Sequence, residues 1–252
     1  MNNIIVGLPS YNSGDTIVRV IEDIKKERDN IHKLISGEVK ILVVDDYSSD
    51  NTLNVLNELD DIVLVGHESH LGLGMTINTI FKEFLKIGQD GDILVIMDCD
   101  SSHNAIFIKD LLVHKRYNLD LNVVICSRFV EGSEVIGLDG KTEVWLNRIN
   151  KFTQKLLNIN SVTDYYSNYR LYDYRIIRVL DTMASNKRKD RIVELDDTSC
   201  MLEIIYKISK MGGKFREIPF IIGYNGKESE NKINISYIFK ALLLPIKLKL
   251  KS

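Results

Sequence analysis

Cysteine is scarce, with Cys99, Cys126 and Cys200 the only three in 252 residues. Their wide spacing excludes a disulfide framework and a zinc-ligand pattern, and they read as core residues of a protein in a reducing compartment. No apolar run reaches the ~20 residues that a spanning helix needs, so any membrane contact is expected to be peripheral. The chain starts directly on the strand-like Ile4, Ile5 and Val6, without the basic and apolar pattern of a secretory leader, and a cytoplasmic location is the expectation. Excess charge is also lacking: the net charge is −2, which gives no global electrostatic case for nucleic acid. No internal repeat and no separating linker interrupts the chain. Three nucleotide and hydrolase signatures are missing as well. There is no Gly-x-x-x-x-Gly-Lys-Ser/Thr run and no Gly-x-Ser-x-Gly elbow, and Ile77 stands where a dinucleotide fingerprint beginning at Gly72 and Gly74 would need its third glycine.

What is present alternates. Short apolar runs at Ile4 to Leu8, Ile41 to Val44, Ile62 to Val65, Ile93 to Met97 and Val123 to Cys126 are separated by segments of helical periodicity. That order predicts an α/β fold with a doubly wound, mainly parallel sheet flanked by helices. The run at Ile93 to Met97 has no polar break, as befits a central strand covered on both faces. Beyond it, Val144 to Leu157 and Ser199 to Met211 read as helices, Glu131 to Glu143 as a flexible glycine-bearing loop, and Phe215 to Ile222 as a late strand.

Polar groups collect where these strands end. Tyr11 and Asn12 follow the first, Asp45 and Asp46 the second, Asp98 and Asp100 the fourth, and Arg128 the fifth. Ligands of such sheets gather beyond the carboxyl ends of the strands. Two carboxylates one residue apart suit a hard divalent cation held against a diphosphate, although Asp98 as a helix cap and Asp100 as a solvated side chain is the simpler reading of the pair alone. Capping by Ser49 or Asp50 is likewise an alternative for the second loop.

Six segments in order carry a family resemblance: Pro-Ser-Tyr-Asn at 9–12, Val-Val-Asp-Asp-Tyr-Ser-Ser-Asp-Asn-Thr at 43–52, Gly-Leu-Gly at 72–74, Met-Asp-Cys-Asp at 97–100, Ser-Arg-Phe-Val-Glu-Gly at 127–132, and Asp164 through Arg170. In these the chain resembles the family 2 glycosyltransferases of the GT-A fold, and most of all the dolichol or polyprenyl phosphate mannose/glucose synthase branch. The resemblance implies a nucleotide-sugar-binding half at 1–130, an acceptor half at 131–232, and an Mg²⁺ or Mn²⁺ cofactor. It implies that Pro9, Tyr11 and Asp46 hold the base and ribose, with Ser13, Val44, Gly72, Cys99 and Ser102 in the same donor-binding set. Asp98 and Asp100 would carry the metal, Asp100 as the likelier direct ligand. Arg128 and Arg148 would contact phosphates.

It also implies direct displacement with inversion of a hexose from a nucleotide-diphosphate sugar. A lipid-phosphate acceptor is already ionised and needs no base, whereas a sugar hydroxyl of a glycan needs one, for which Asp164 is the first candidate and Glu203 the second. Two departures stand out. Tyr224 to Lys232 replaces the branch's Arg-x-x-Gly-x-Ser-Lys, leaving Lys227 or Lys232 for its phosphate contact, and Ser102 occupies a position where the branch often has glutamine. A non-catalytic nucleotide-sugar-binding protein and a nucleotidyltransferase are rival readings. From Ile233 the chain becomes apolar and basic, with Lys247, Lys249 and Lys251 and no acidic residue after Glu230. This stretch reads either as a helix lying in an anionic membrane interface or as a C-terminal helix packed on the domain.

Overall fold

The computed structural model describes residues 2–224 and 235–250; Lys232, Lys227 and the rest of 225–234 lie outside the described residues. The N-terminal half is β1 (Ile4–Ser10), α1 (Ile17–His32), β2 (Val39–Asp45), α2 (Thr52–Asn57), β3 (Ile62–Gly66), α3 (Leu73–Ile87), β4 (Ile93–Ile96), α4 (Phe107–Tyr117) and β5 (Val123–Ser127). The remainder is β6 (Glu134–Ile136), α5 (Gly140–Leu157), β7 (Arg170–Asp173), α6 (Tyr174–Asn186), α7 (Cys200–Lys210), β8 (Phe215–Pro219), β9 (Ile221–Gly223) and α8 (Ile235–Leu250).

Seven strands form one sheet in the order β3-β2-β1-β4-β7-β5-β8. Pairing is parallel except at β7, which runs antiparallel to both β4 and β5. The side-chain period of two divides the core between the sheet's faces. On β4, Ile93 and Val95 face one apolar layer with α1 and α4, while Leu94 and Ile96 face the other with α3, α6 and α7. An unbroken apolar run is therefore required there, because neither face meets water.

The second half departs from the expected pattern. Arg170, the last residue of the sixth family motif, opens the inserted strand β7. The late strand divides at Phe220: β8 joins the large sheet and β9 pairs in parallel with β6, which lies inside the expected flexible loop. Helix α5 begins four residues before Val144, because the Asp139 carboxylate accepts the Lys141 and Thr142 amides and caps it.

Helix α8 packs on the domain, with Ala241 and Leu244 joining the core beside Ile149 and Leu157 of α5. Pro245 lies inside α8 and has no N–H to give the Ala241 carbonyl. The Tyr166 hydroxyl donates to that oxygen instead, at 3.0 Å. Among the described residues no helix is long and apolar enough to cross a membrane.

Candidate active site

The carboxyl ends of β1 and β4, the segment after β5 and the 166–168 loop before β7 border one cleft of about 950 Å³. Of the residues expected to bind donor or metal, it brings together Pro9, Tyr11, Ser13, Asp98, Cys99, Asp100, Ser102 and Arg128. The chain turns sharply at these strand ends: Asn12, Tyr47 and Ser101 all adopt positive φ, at 49°, 64° and 65°. Non-glycine residues in that region cost about 1 kcal/mol or more each. The hydrogen bonds of the loops hold them there. Asn12 Oδ1 accepts from the Ser49 amide at 2.8 Å, and Asp100 Oδ1 accepts from the Ser102 amide at 2.9 Å.

Asp98 is fixed from two sides. Asn168 Nδ2 donates to its Oδ1 at 2.6 Å. His103 Nδ1 accepts the Asp98 backbone N–H at 2.9 Å, which leaves the neutral ring's proton on Nε2, 3.7 Å from Asp98 Oδ2. The imidazole stacks on Tyr169 with centroids 4.9 Å apart. A lone His after an acidic motif has no period or spacing that singles it out in the sequence.

Thr198, equally unmarked in the sequence, and Tyr224, the first residue of the departing segment, come from distant parts of the chain to line the cleft. Asn168 has a buried Oδ1 without a hydrogen-bond partner. Two carboxylates and an unpartnered amide oxygen at one site are hard oxygen donors of the kind Mg²⁺ and Mn²⁺ accept. Among the described residues no group of three or more His, Cys, Asp or Glu completes a metal site.

Arg128 reaches the cleft gripped by Asp164. Its Nε and Nη2 each donate to that carboxylate at 2.7 Å, its backbone N–H does so at 3.1 Å, and its Nη1 donates to the Tyr224 hydroxyl at 3.2 Å. Asp164 is fully buried, and Oδ1 also accepts the Tyr166 and Ser167 amides. Burial raises the carboxyl pKa, and the Arg128 guanidinium more than offsets that, so the group lies below its ordinary range. Glu217, which no sequence pattern marked, supports this pair from behind. It accepts from the Asp164 amide and the Thr163 hydroxyl, both at 2.7 Å, and burial raises its pKa.

Several expected site residues are placed elsewhere. The Val44 side chain is fully buried in the core. Both Asp46 oxygens are taken by the protein itself: His67 Nδ1 at 2.7 Å, His70 Nδ1 at 2.9 Å, and the Leu71 and Gly72 amides at 2.9 and 2.7 Å. Asp46 thus shapes the cleft's edge through His70, whose ring lies 4.2 Å from that of Tyr11. Gly72 and Gly74 serve packing. A Cβ on Gly74 would lie 1.7 Å from the Leu195 carbonyl oxygen, and Gly72 has a φ of +87° against Asp196.

Glu203 faces the Glu194 and Leu195 amides and Lys207 rather than the cleft, so it is not placed as a base. Arg148 lies on the outside of α5 over the Trp145 ring. Arg170, which ends the last motif, is wholly buried and holds the carbonyls of Tyr165 and Met201.

A parallel nucleotide-type sheet with one inserted antiparallel strand and a carboxylate-bearing cleft is the GT-A glycosyltransferase fold. Glucosyl-3-phosphoglycerate synthase from Mycobacterium tuberculosis, crystallised with Mn²⁺, uridine-diphosphate and glucosyl-3-phosphoglycerate, superposes with a TM-score of 0.66 over 99% of this chain and 79% of that one. The identity is 15%, and the likeness is one of fold.

The chain belongs to the family described as Glycosyl transferase family 2, which matches residues 5–181. Polyprenol monophosphomannose synthase of Mycolicibacterium smegmatis is 27% identical over 189 residues, 73% of this chain. The chain spans just under two thirds, 66%, of that relative's length. UDP-N-acetylglucosamine--dolichyl-phosphate N-acetylglucosaminyltransferase of Methanococcus voltae is 24% identical over 260 residues, covering 96% of this chain and 94% of that protein.

Proposed function

We propose that the enzyme transfers a hexose, with inversion and with the help of Mg²⁺ or Mn²⁺, from a nucleotide-diphosphate sugar to a polyprenyl phosphate. The two relatives named for polyprenol and dolichyl phosphate support the acceptor class. The observation that carries the reading is where the acids are. Among the described residues the carboxylates lining the cleft are Asp15, Asp98 and Asp100, all from the loops after β1 and β4. The β5 side offers Arg128, while its nearby carboxylate, Asp164, is buried, committed to that arginine and shifted away from basicity. A hydroxyl acceptor needs a base within reach. An ionised phosphate does not, and a held guanidinium is the group to receive it.

Asp98 and Asp100 would hold the metal, which neutralises charge on the departing diphosphate. Tyr11, with His70 beside it, would border the base. Arg128, oriented by Asp164 and Tyr224, would position the acceptor phosphate for direct attack at the anomeric carbon.

The test is donor label, supplied with polyprenyl phosphate or the dephosphorylated polyprenol. Label in a butanol-extractable lipid with the phosphate alone is the expected result. Equal labelling of the alcohol, or label entering only a glycan, would overturn the acceptor assignment. Absence of turnover with every nucleotide sugar, despite nucleotide binding, would instead support a non-catalytic binding protein.

A further inference from the structure

We propose that His70 is a built-in occupant of the base subsite, seated where the nucleobase stacks and displaced by a base that carries a ring N–H. The proposal rests on the nucleotide-sugar reading and deepens it. A nucleobase is recognised through two elementary contacts, an aromatic face to stack on and a polar partner for its edge. At the end of β1 the face is the ring of Tyr11, which lines the cleft. The neighbouring polar group is the buried Asp46, whose backbone N–H donates to the Ser10 carbonyl at 2.8 Å and so stands next to Tyr11.

His70 meets both at once. Its ring centroid lies 4.2 Å from that of Tyr11, and its Nδ1 lies 2.9 Å from Asp46 Oδ2 and 3.3 Å from the Asp46 carbonyl oxygen. A ring nitrogen set between two acceptors carries the proton, so the imidazole shows Asp46 the kind of N–H that uracil or guanine would. No second ring fits between His70 and Tyr11 at that distance. Each Asp46 oxygen also has two donors near it, His67 Nδ1 and the Leu71 amide at Oδ1, His70 Nδ1 and the Gly72 amide at Oδ2. With about two acceptor positions per carboxylate oxygen, Asp46 takes a further N–H only when one of these leaves.

His70 is the one that can leave. The His67 side chain is 8% exposed and its Nε2 is held by Thr79 at 2.9 Å, while the two amides belong to the backbone entering α3. The His70 side chain is 52% exposed, and among the described residues its Nε2 has no hydrogen-bond partner. Its rotation frees a face of Tyr11 and an acceptor position on Asp46 together. Uracil and guanine, with a ring N–H, use both. Adenine and cytosine present a ring acceptor at that edge and would gain the stacking alone, with two acceptors opposed.

Uridine, guanosine, adenosine and cytidine diphosphates are titrated calorimetrically with Mn²⁺ into the wild type and His70→Ala at pH 8. A ring seated about nine-tenths of the time weakens apparent affinity about tenfold. His70→Ala is therefore expected to bind the better of the uridine and guanosine diphosphates about tenfold more tightly than the wild type, with a smaller gain for the other two bases. A crystal of the wild type with the same nucleotide and Mn²⁺ should show the imidazole turned off Tyr11 and the base stacked in its place.

Equal or weaker binding by His70→Ala would overturn the proposal, since the ring would then support the base rather than stand in for it. So would an equal gain with all four bases, or a nucleotide complex in which His70 still lies on Tyr11 and Asp46. Each of these leaves the nucleotide-sugar reading intact. Failure of both proteins to bind any nucleoside diphosphate would overturn the two together.

Discussion

Among the described residues Arg128 is the guanidinium that lines the cleft, and Asp164 fixes its plane: a two-pronged contact sets orientation as well as charge. Neither side chain has much water, with 10% and 0% of their areas exposed. Replacing one partner strands the other, and Asp164→Asn is expected to cost about 3 kcal/mol or more of stability in urea unfolding at neutral pH. The folded carboxyl has a depressed pKa, so its contribution is full above the unfolded carboxyl's range, about 4, and is lost as pH falls through the lower folded value. The gap between wild type and Asp164→Asn should therefore hold from neutrality to about pH 5 and shrink below about pH 4. A gap independent of pH would show that the pair's charge is irrelevant.

Asp100 belongs to the same scale. Asp100→Asn keeps the acceptor for the Ser102 amide but removes a formal charge from the proposed metal site, and it should abolish the Mn²⁺-dependent part of nucleoside diphosphate binding. Isothermal titration with and without Mn²⁺ checks this; an undiminished Mn²⁺ effect would remove Asp100 from the metal site.

Among the elements, α3 and α8 are each held by one unusual contact. Helix α3 starts at Leu73, where the Asp196 carbonyl accepts the Gly74 amide at 3.0 Å and the 195–196 backbone crosses where a Cβ would stand. Gly74→Ala must push that backbone aside, and overpacking of this kind costs about 1–3 kcal/mol. A melting temperature equal to wild type would show that the crossing is looser than drawn. The family resemblance puts Gly72 in the donor-binding set, and a close backbone approach to a phosphate and one to another loop demand the same residue.

In α8, the Tyr166 hydroxyl replaces the hydrogen bond that Pro245 cannot make. Tyr166→Phe should lower stability by about 1 kcal/mol and speed hydrogen exchange in α8 before it does so in the sheet. Equal exchange in both would mean that the bond does not anchor the helix.

Over the whole molecule, strands β1, β2 and β4 end together and bring loops from different parts of the chain to one rim, and ligand binding at that rim should stabilise everything beneath it. At about 100 times Kd, a nucleoside diphosphate with Mn²⁺ adds about 2.7 kcal/mol, which corresponds to roughly 5–10 °C in a domain of this size. Thermal shift across the nucleoside diphosphates identifies the base; no shift with any of them would refute a nucleotide-sugar pocket.

Alternating apolar runs determined the first five strands and their parallel order: β1, β2, β4 and β5 bury both faces, while the edge strand β3 keeps Val63 exposed. The acidic strand ends determined that Asp98 and Asp100 would share a rim. Tertiary structure decided the rest. Arg170 to Asp173 has too short and too polar a sequence to declare itself a strand, and it becomes β7 because two neighbouring edges supply its backbone partners. The roles of Asp164, Asp46 and Glu203 depended on which donors the fold brought to their oxygens, and side-chain identity is silent on that. A carboxylate's chemistry is set by its neighbours in space, and the side chains that hold these two, His67 and His70 for Asp46 and Arg128 for Asp164, lie 21 to 36 residues away, beyond the reach of any local pattern.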